Sequence, residues 1–199
     1  MSEKQQITNY YEEKLEQFGE DPRSVGWRDR DTQRRRFEAL AAVAPLQGKS
    51  ILDLGCGLGD LHSFLIEKNI TCDYTGWDLS GKMIDACRQK YPDASFKQVD
   101  ILTTTDERAF DVVFGSGLFC IPLEDESFYE RIMARMFALC REAVAFNMIS
   151  TYVDYREDYL RYADPCAVFD FCKKKLSRYV ALRHDYMPFE FTVYVYRRD

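Results

Sequence analysis

The stretch Ile51–Asp60, ILDLGCGLGD, runs from apolar residues into three glycines at alternate positions, with Asp53 before them and Asp60 after. Glycines so placed let a ligand approach bare backbone. Phosphate is the ordinary guest of such a turn, because free backbone N–H groups favour an anion. The dinucleotide fingerprint, however, wants its third glycine at the sixth position, and here that position is Asp60. Two more acidic residues close apolar runs downstream, Asp78 after CDYTGW and Asp100 after FKQV. Carboxylates at successive strand ends suit a cation and repel pyrophosphate. Asp78 lies roughly 20 residues past the loop, where an acidic side chain accepts from ribose hydroxyls. Asp53 and the loop backbone suit an ammonium group. Asp100, followed by Ile101, suits an adenine amino group beside an apolar wall. The implied ligand is a nucleoside with a positively charged tail.

These residues need a scaffold that brings strand ends together. From Ser50 onward, strands and helices alternate: Ser50–Leu54, a helix with Leu61, Phe64 and Leu65 on one face, CDYTGWD, and a helix capped by Ser80 that buries Met83, Ile84, Cys87 and Tyr91. A short strand over Phe96–Val99 follows, then FDVVFG, a continuous apolar run typical of a central parallel strand. Phe128, Ile132, Met136 and Leu139 mark a helix, EAVAFNMI another central strand, and Cys166–Lys175 a helix after Pro165. The last two strand-like runs, RYVALRH and EFTVYVYR, are separated too closely for a parallel crossover and must form an antiparallel hairpin. The fold class is therefore α/β, a doubly wound, mostly parallel seven-stranded sheet with an antiparallel C-terminal hairpin and helices on both faces. Ahead of it stand an amphipathic stretch with Ile7, Tyr10, Tyr11, Leu15 and Phe18, a turn-rich link, and a helix from Asp31 or Thr32 that buries Phe37, Leu40, Ala41 and Ala44 before Pro45. Residues 1–199 read as a single domain, with an N-terminal helical cap over 1–47 and the core over 48–199.

Composition narrows the partners. Hydrophobic content of 46% and charged content of 30% are ordinary for a soluble domain, and a net charge of -6 speaks against a nucleic-acid backbone as main partner. No apolar run is long enough to span a bilayer, and the polar start at Met1–Gln6 does not open a secretory signal, which predicts a cytoplasmic protein. Seven cysteines without a CxxC pair read as buried free thiols, with no metal site.

ILDLGCGLGD resembles motif I of the class I S-adenosylmethionine-dependent methyltransferases, hydrophobic-x-D-x-G-x-G-x-G. YTGWDLSGKMIDACRQK looks like their second motif, FKQVDI like the third and FDVVFGSGLF like the fourth, in the expected order over Ser50–Met148. The resemblance implies S-adenosylmethionine as cofactor, methyl transfer to a small-molecule acceptor by in-line displacement, and S-adenosylhomocysteine as product. It places Gly55, Cys56 and Gly57 against the methionine part, with Asp53 supporting its amino group. Asp78 would take the ribose hydroxyls, Leu79 and Met83 flank the adenine, and Asp100 and Ile101 meet its edge. Gly115, Ser116 and Gly117 would floor the site near the sulfonium, while Trp27, in the link ahead of the fold, is either a hydrophobic plug or part of a lid over the cofactor. Position 60 varies in that family, so Asp60 carries no role. Aminopropyl transfer, cyclisation of the cofactor, or a non-catalytic binding module remain the alternatives. A nucleic-acid methyltransferase would want an Asn-Pro-Pro-Tyr type of motif where this chain has GSGLFCIP.

Acceptor-side candidates are Asn147, at the end of its strand, Tyr152 and His184. Tyr152, Tyr155, Tyr159 and Tyr162 have the spacing of one helix face. They would either pack on the sheet or wall an organic acceptor. His184 is either a general base or a structural residue, and His62 should face solvent. Arg34, Arg35 and Arg36 read as the wet face of their helix. Neither the acceptor nor the oligomeric state follows from the sequence.

Overall fold

The computed structural model of the chain describes residues 2–27, 29–125 and 127–198. Seven strands form one sheet: β1 Ser50–Leu54, β2 Asp73–Asp78, β3 Ser95–Gln98, β4 Phe110–Gly115, β5 Cys140–Ile149, β6 Tyr179–Met187 and β7 Glu190–Tyr196. Their spatial order is β3-β2-β1-β4-β5-β7-β6. The first five are parallel, while β7 runs antiparallel between β5 and β6. The chain reverses direction outward at β1, between β2 and β4, and that switch point sets the crevice for a ligand. The helices are α1 Glu3–Phe18, α2 Arg30–Ala41, α3 Asp60–Glu67, α4 Gly81–Lys90, α5 Ser127–Leu139 and α6 Pro165–Phe171.

Alternation along the central strands divides the core into two layers. Leu52, Leu54, Val113, Val144 and Phe146 pack with α5, α6 and the inner face of β7. Ile51, Val112, Phe114, Ala143 and Ala145 meet α2, α3 and α4 on the other side. A strand buried on both faces needs a continuous apolar run, which Val112–Phe114 and Ala143–Phe146 supply. Caps fix where helices begin. Asp29 accepts from the Thr32 N–H at the start of α2, Ser80 from Met83 at α4, and Asp164 from Cys166 and Ala167 at α6.

The helix expected over Cys166–Lys175 stops at Phe171 and continues as a wider π turn, Cys172–Leu176. The tyrosine-bearing stretch is not a helix either. Its backbone pairs outward instead: Thr151 N–H donates to Ala163 O, Ala163 N–H to Ile149 O and Arg161 N–H to Cys120 O. Those long-range bonds take the groups an i→i−4 ladder would need, so the 3-4-3 spacing is coincidental. Tyr152, Tyr155 and Tyr159 consequently lie exposed along a loop.

Two polar residues also depart from expectation. Arg36 is buried and forms a two-armed ion pair with Glu190, at the start of β7. His62 is half-buried in a nest of rings, 4.5 Å from Tyr74 and 5.0 Å from Tyr91, and burial lowers its pKa. Of the seven cysteines, all free thiols, Cys56, Cys87, Cys140 and Cys172 are buried, whereas Cys166 is exposed. Among the described residues no helix is long and apolar enough to cross a membrane.

Candidate functional site

The C-terminal ends of β1, β2 and β4 converge on the glycine loop. Gly55, Gly57 and Gly59 all have positive φ, at 70°, 52° and 75°. Space forbids side chains there as well. A Cβ at Gly55 would lie 2.9 Å from Leu118, and one at Gly57 would lie 2.8 Å from Val25. The loop is pinned by the Gly55 and Cys56 N–H groups, which donate to Trp77 O at 2.7 and 3.1 Å.

Three carboxylates border this loop. Asp53 is buried and accepts from the Tyr74 hydroxyl at 2.6 Å. Burial raises its pKa to about 7, with the Tyr74 bond opposing and the charges of Asp78 and Asp60 adding to the rise. Asp78 accepts from Gly57 N–H through one oxygen and from Ser80 N–H through the other, both at 2.9 Å. Burial also raises its pKa, and those N–H groups hold it back. Each of its oxygens retains acceptor capacity for a hydroxyl. Asp60, in the first turn of α3, accepts from Gln33 Nε2 at 2.8 Å.

A cavity of about 100 Å³ opens over the loop. Trp27, Asp53, Gly55, Cys56, Gly57, Asp78, Leu79, Met83, Asp100, Ile101 and Ser116 all line it, so the structure gathers nearly every residue assigned there from sequence. Gly115 stands behind this surface, where a Cβ would meet Met136 at 3.0 Å. Asp100 has a double part. Burial works against its charge, but Lys4 of α1, the Thr103 hydroxyl and the Leu102 N–H together hold its pKa below the ordinary range. It joins the N-terminal helix to the core at the rim of the cavity.

Sequence reasoning missed Val25, Gln33, Asp60 and Leu118, which also line the cavity. Asp60 carried a signal, since a carboxylate directly after a glycine loop sits at a helix N-terminus and beside any guest. The others arrive from remote segments and had none. The cap narrows the space: Val25 lies on Gly57, Trp27 on Gly117, and Tyr11 donates to Gly117 O at 3.3 Å. Ligand pockets usually hold about 300–1,000 Å³, so the cap leaves this cavity narrow.

A second, larger cavity of about 480 Å³ lies beyond Trp27. Val25, Trp27 and Gly117 line both, and the second also takes in Arg36, Cys120, Asn147, Tyr155 and Glu190. Tyr152 and His184 line neither cavity. Their rings lie 6.1 Å apart, and His184 is also 6.1 Å from Phe191.

The donor set fits a cationic nucleoside. A buried carboxylate with its pKa near neutrality lacks a counter-charge, and the Ser116 Oγ is buried without a hydrogen-bond partner among the described residues.

Comparison with known proteins agrees. Residues 51–143 match the family model described as a methyltransferase domain. A Mycobacterium tuberculosis protein named as a methyltransferase, Rv1506c, is 36% identical over 153 residues, spanning 73% of this chain and 92% of its own length. Trans-aconitate 2-methyltransferase of Delftia acidovorans is 31% identical over 102 residues, which cover 50% of this chain and 38% of that protein. Magnesium protoporphyrin IX methyltransferase from Synechocystis PCC 6803, solved with bound SAH, shares the fold with a TM-score of 0.70 at 13% identity, over 98% of this chain and all of that one. The DhpI–SAH complex superposes with a TM-score of 0.67 at 19% identity, covering 96% and 94% of the two chains.

Proposed function

The chain belongs to the class I S-adenosylmethionine-dependent methyltransferases, and from that premise we propose that it methylates a small organic molecule held in the second cavity. The observation that carries this reading is the shared wall. Val25, Trp27 and Gly117 border both a carboxylate-lined cavity suited to the cofactor and a roomier one suited to an acceptor. The net charge of -6 and the aromatic rim favour a small molecule over a nucleic acid. One relative is named for such an acceptor, trans-aconitate.

Each residue's part follows from its chemistry. Asp53, with the loop at Gly55–Gly57, holds the ammonium group, and Asp78 takes the ribose hydroxyls. Leu79, Met83 and Ile101 close on the adenine faces, while Asp100 stands at its edge and fastens the cap through Lys4. Trp27 covers the junction. When bound, the cofactor supplies a methyl group made electrophilic by a cationic sulfur. Because the departing thioether is neutral, no acid is required, and the protein acts chiefly by holding acceptor and methyl group in line. Asn147, not His184 or Tyr152, reaches the acceptor chamber.

Incubation with S-adenosylmethionine and a panel of small organic acceptors should release S-adenosylhomocysteine. Methylthioadenosine as the product would mean that the amino-acid arm of the cofactor, not its methyl group, leaves the sulfur, by transfer or by cyclisation, and would overturn this reading.

A further inference from the structure

The inner end of the second cavity has a chemical sign, and it rests on the methyl-transfer reading above. Asn147 ends near the crossing of β5 and the Ser116–Gly117 turn and is only 3% exposed. Its Oδ1 accepts from the Gly117 N–H at 3.1 Å. A backbone N–H can only donate, so this bond fixes the orientation of the amide. Nδ2 must then be the atom facing away from Gly117. It is buried, has no partner among the described residues, and belongs to a residue that lines the second cavity and not the first.

Arg36 lines the same cavity. Its Nε and Nη2 are engaged by Glu190, and its guanidinium lies 4.1 Å from the Trp27 ring centre. Glu190 also lines this cavity, but its charge is held by Arg36. Cys120 directs its thiol to Gly117 O at 2.9 Å. The inner wall therefore offers the unpartnered Asn147 N–H donor, a guanidinium already paired with Glu190, and the Trp27 ring. A protonated amine would find no unpaired carboxylate on this inner wall, since Glu190 is held by Arg36, and a hydroxyl would meet no uncommitted base among these residues. A nucleophile that arrives already ionised meets what it needs.

We propose that the acceptor is a carboxylate, methylated on oxygen to give its methyl ester. One carboxylate oxygen accepts from Asn147 Nδ2. The other uses a lone pair to form the O–C bond as the C–S bond breaks and its electron pair returns to sulfur. A carboxylate anion and a sulfonium cation become a neutral ester and a neutral thioether, and no proton moves. Desolvated opposite charges are thus neutralised in the transition state, which a low-dielectric chamber favours. Asp154 and Glu157 also line this cavity, on the loop that carries the exposed Tyr155 and Tyr159.

The test uses the whole chain, S-adenosylmethionine labelled in its methyl group, and a panel of aliphatic and aromatic mono-, di- and tricarboxylates alongside matched alcohols, amines and primary amides. Methyl esters release labelled methanol on alkali treatment, whereas N-methyl, C-methyl and ether products do not. The expected result is alkali-labile label in the carboxylates. Asn147→Asp keeps the acceptor for the Gly117 N–H but removes the donor and adds a like charge. It should raise KM for the carboxylate at least tenfold and leave S-adenosylhomocysteine affinity within twofold. Alkali-stable label in the alcohols or amines overturns the proposal, as does an Asn147→Asp KM within twofold of wild type. If the wild-type chain does not bind S-adenosylhomocysteine at all, the methyl-transfer reading itself falls.

Discussion

Asp53 shows how one residue couples burial to function. Its pKa of about 7 stands far above the ordinary aspartate value of about 3.9, because the strand end withholds water from its charge. The sign follows directly. Raising the folded-state pKa means that the empty protein disfavours the ionised form, so this residue's contribution to stability declines as pH rises from about 4 through 7. On the proposed assignment, a bound ammonium group would reverse the preference and draw the proton off. Cofactor affinity should therefore be about tenfold weaker at pH 6 than at pH 8, since only the ionised fraction is competent. Calorimetry in buffers of different ionisation enthalpy should show proton release on binding at pH 6.5. In Asp53→Asn both effects should vanish, and a proton release that persists in this variant would assign it elsewhere.

At the scale of elements, Arg36 and Glu190 fasten α2 to the start of β7, across a separation of 154 residues. Removing one member leaves a buried charge alone. Arg36→Met should cost about 3–5 kcal/mol of stability in urea unfolding, and adding Glu190→Leu should recover most of it. A loss under about 1 kcal/mol would mean water already reaches the pair. This contact also marks the limit of what was legible beforehand. ILDLGCGLGD, CDYTGWD and FDVVFG announced the strands, the glycine loop and the carboxylates that line the first cavity because each signal is contiguous and local. Arg36, amid a run of arginines, looked like solvated surface because its partner lies far down the chain. The 3-4-3 tyrosine spacing suggested a helix for the same reason, since the backbone bonds that forbid it run to Cys120, Ile149 and Ala163. His62 looked exposed until Tyr74, Tyr91 and Phe96 from other elements surrounded it.

Across the whole molecule, the carboxylates and glycines of the first cavity come from one stretch, residues 53–117, covered by the cap, whereas the second cavity is assembled from remote segments. The second cavity draws on the cap, the loop after β5 and the C-terminal hairpin, which only the folded sheet brings together. The N-terminal segment binds the halves, with Lys4 on Asp100, Glu12 on Ser80 and Trp27 over Gly117. The cap over the loop and the carboxylates beneath it suit the crevice at the strand ends to a cationic nucleoside. Titration calorimetry with S-adenosylhomocysteine, comparing the wild-type chain with Asp78→Ala, tests it most directly. The account predicts one site per chain and an affinity at least tenfold weaker in the variant. Absence of binding to the wild type, or an affinity unchanged by the substitution, would contradict it.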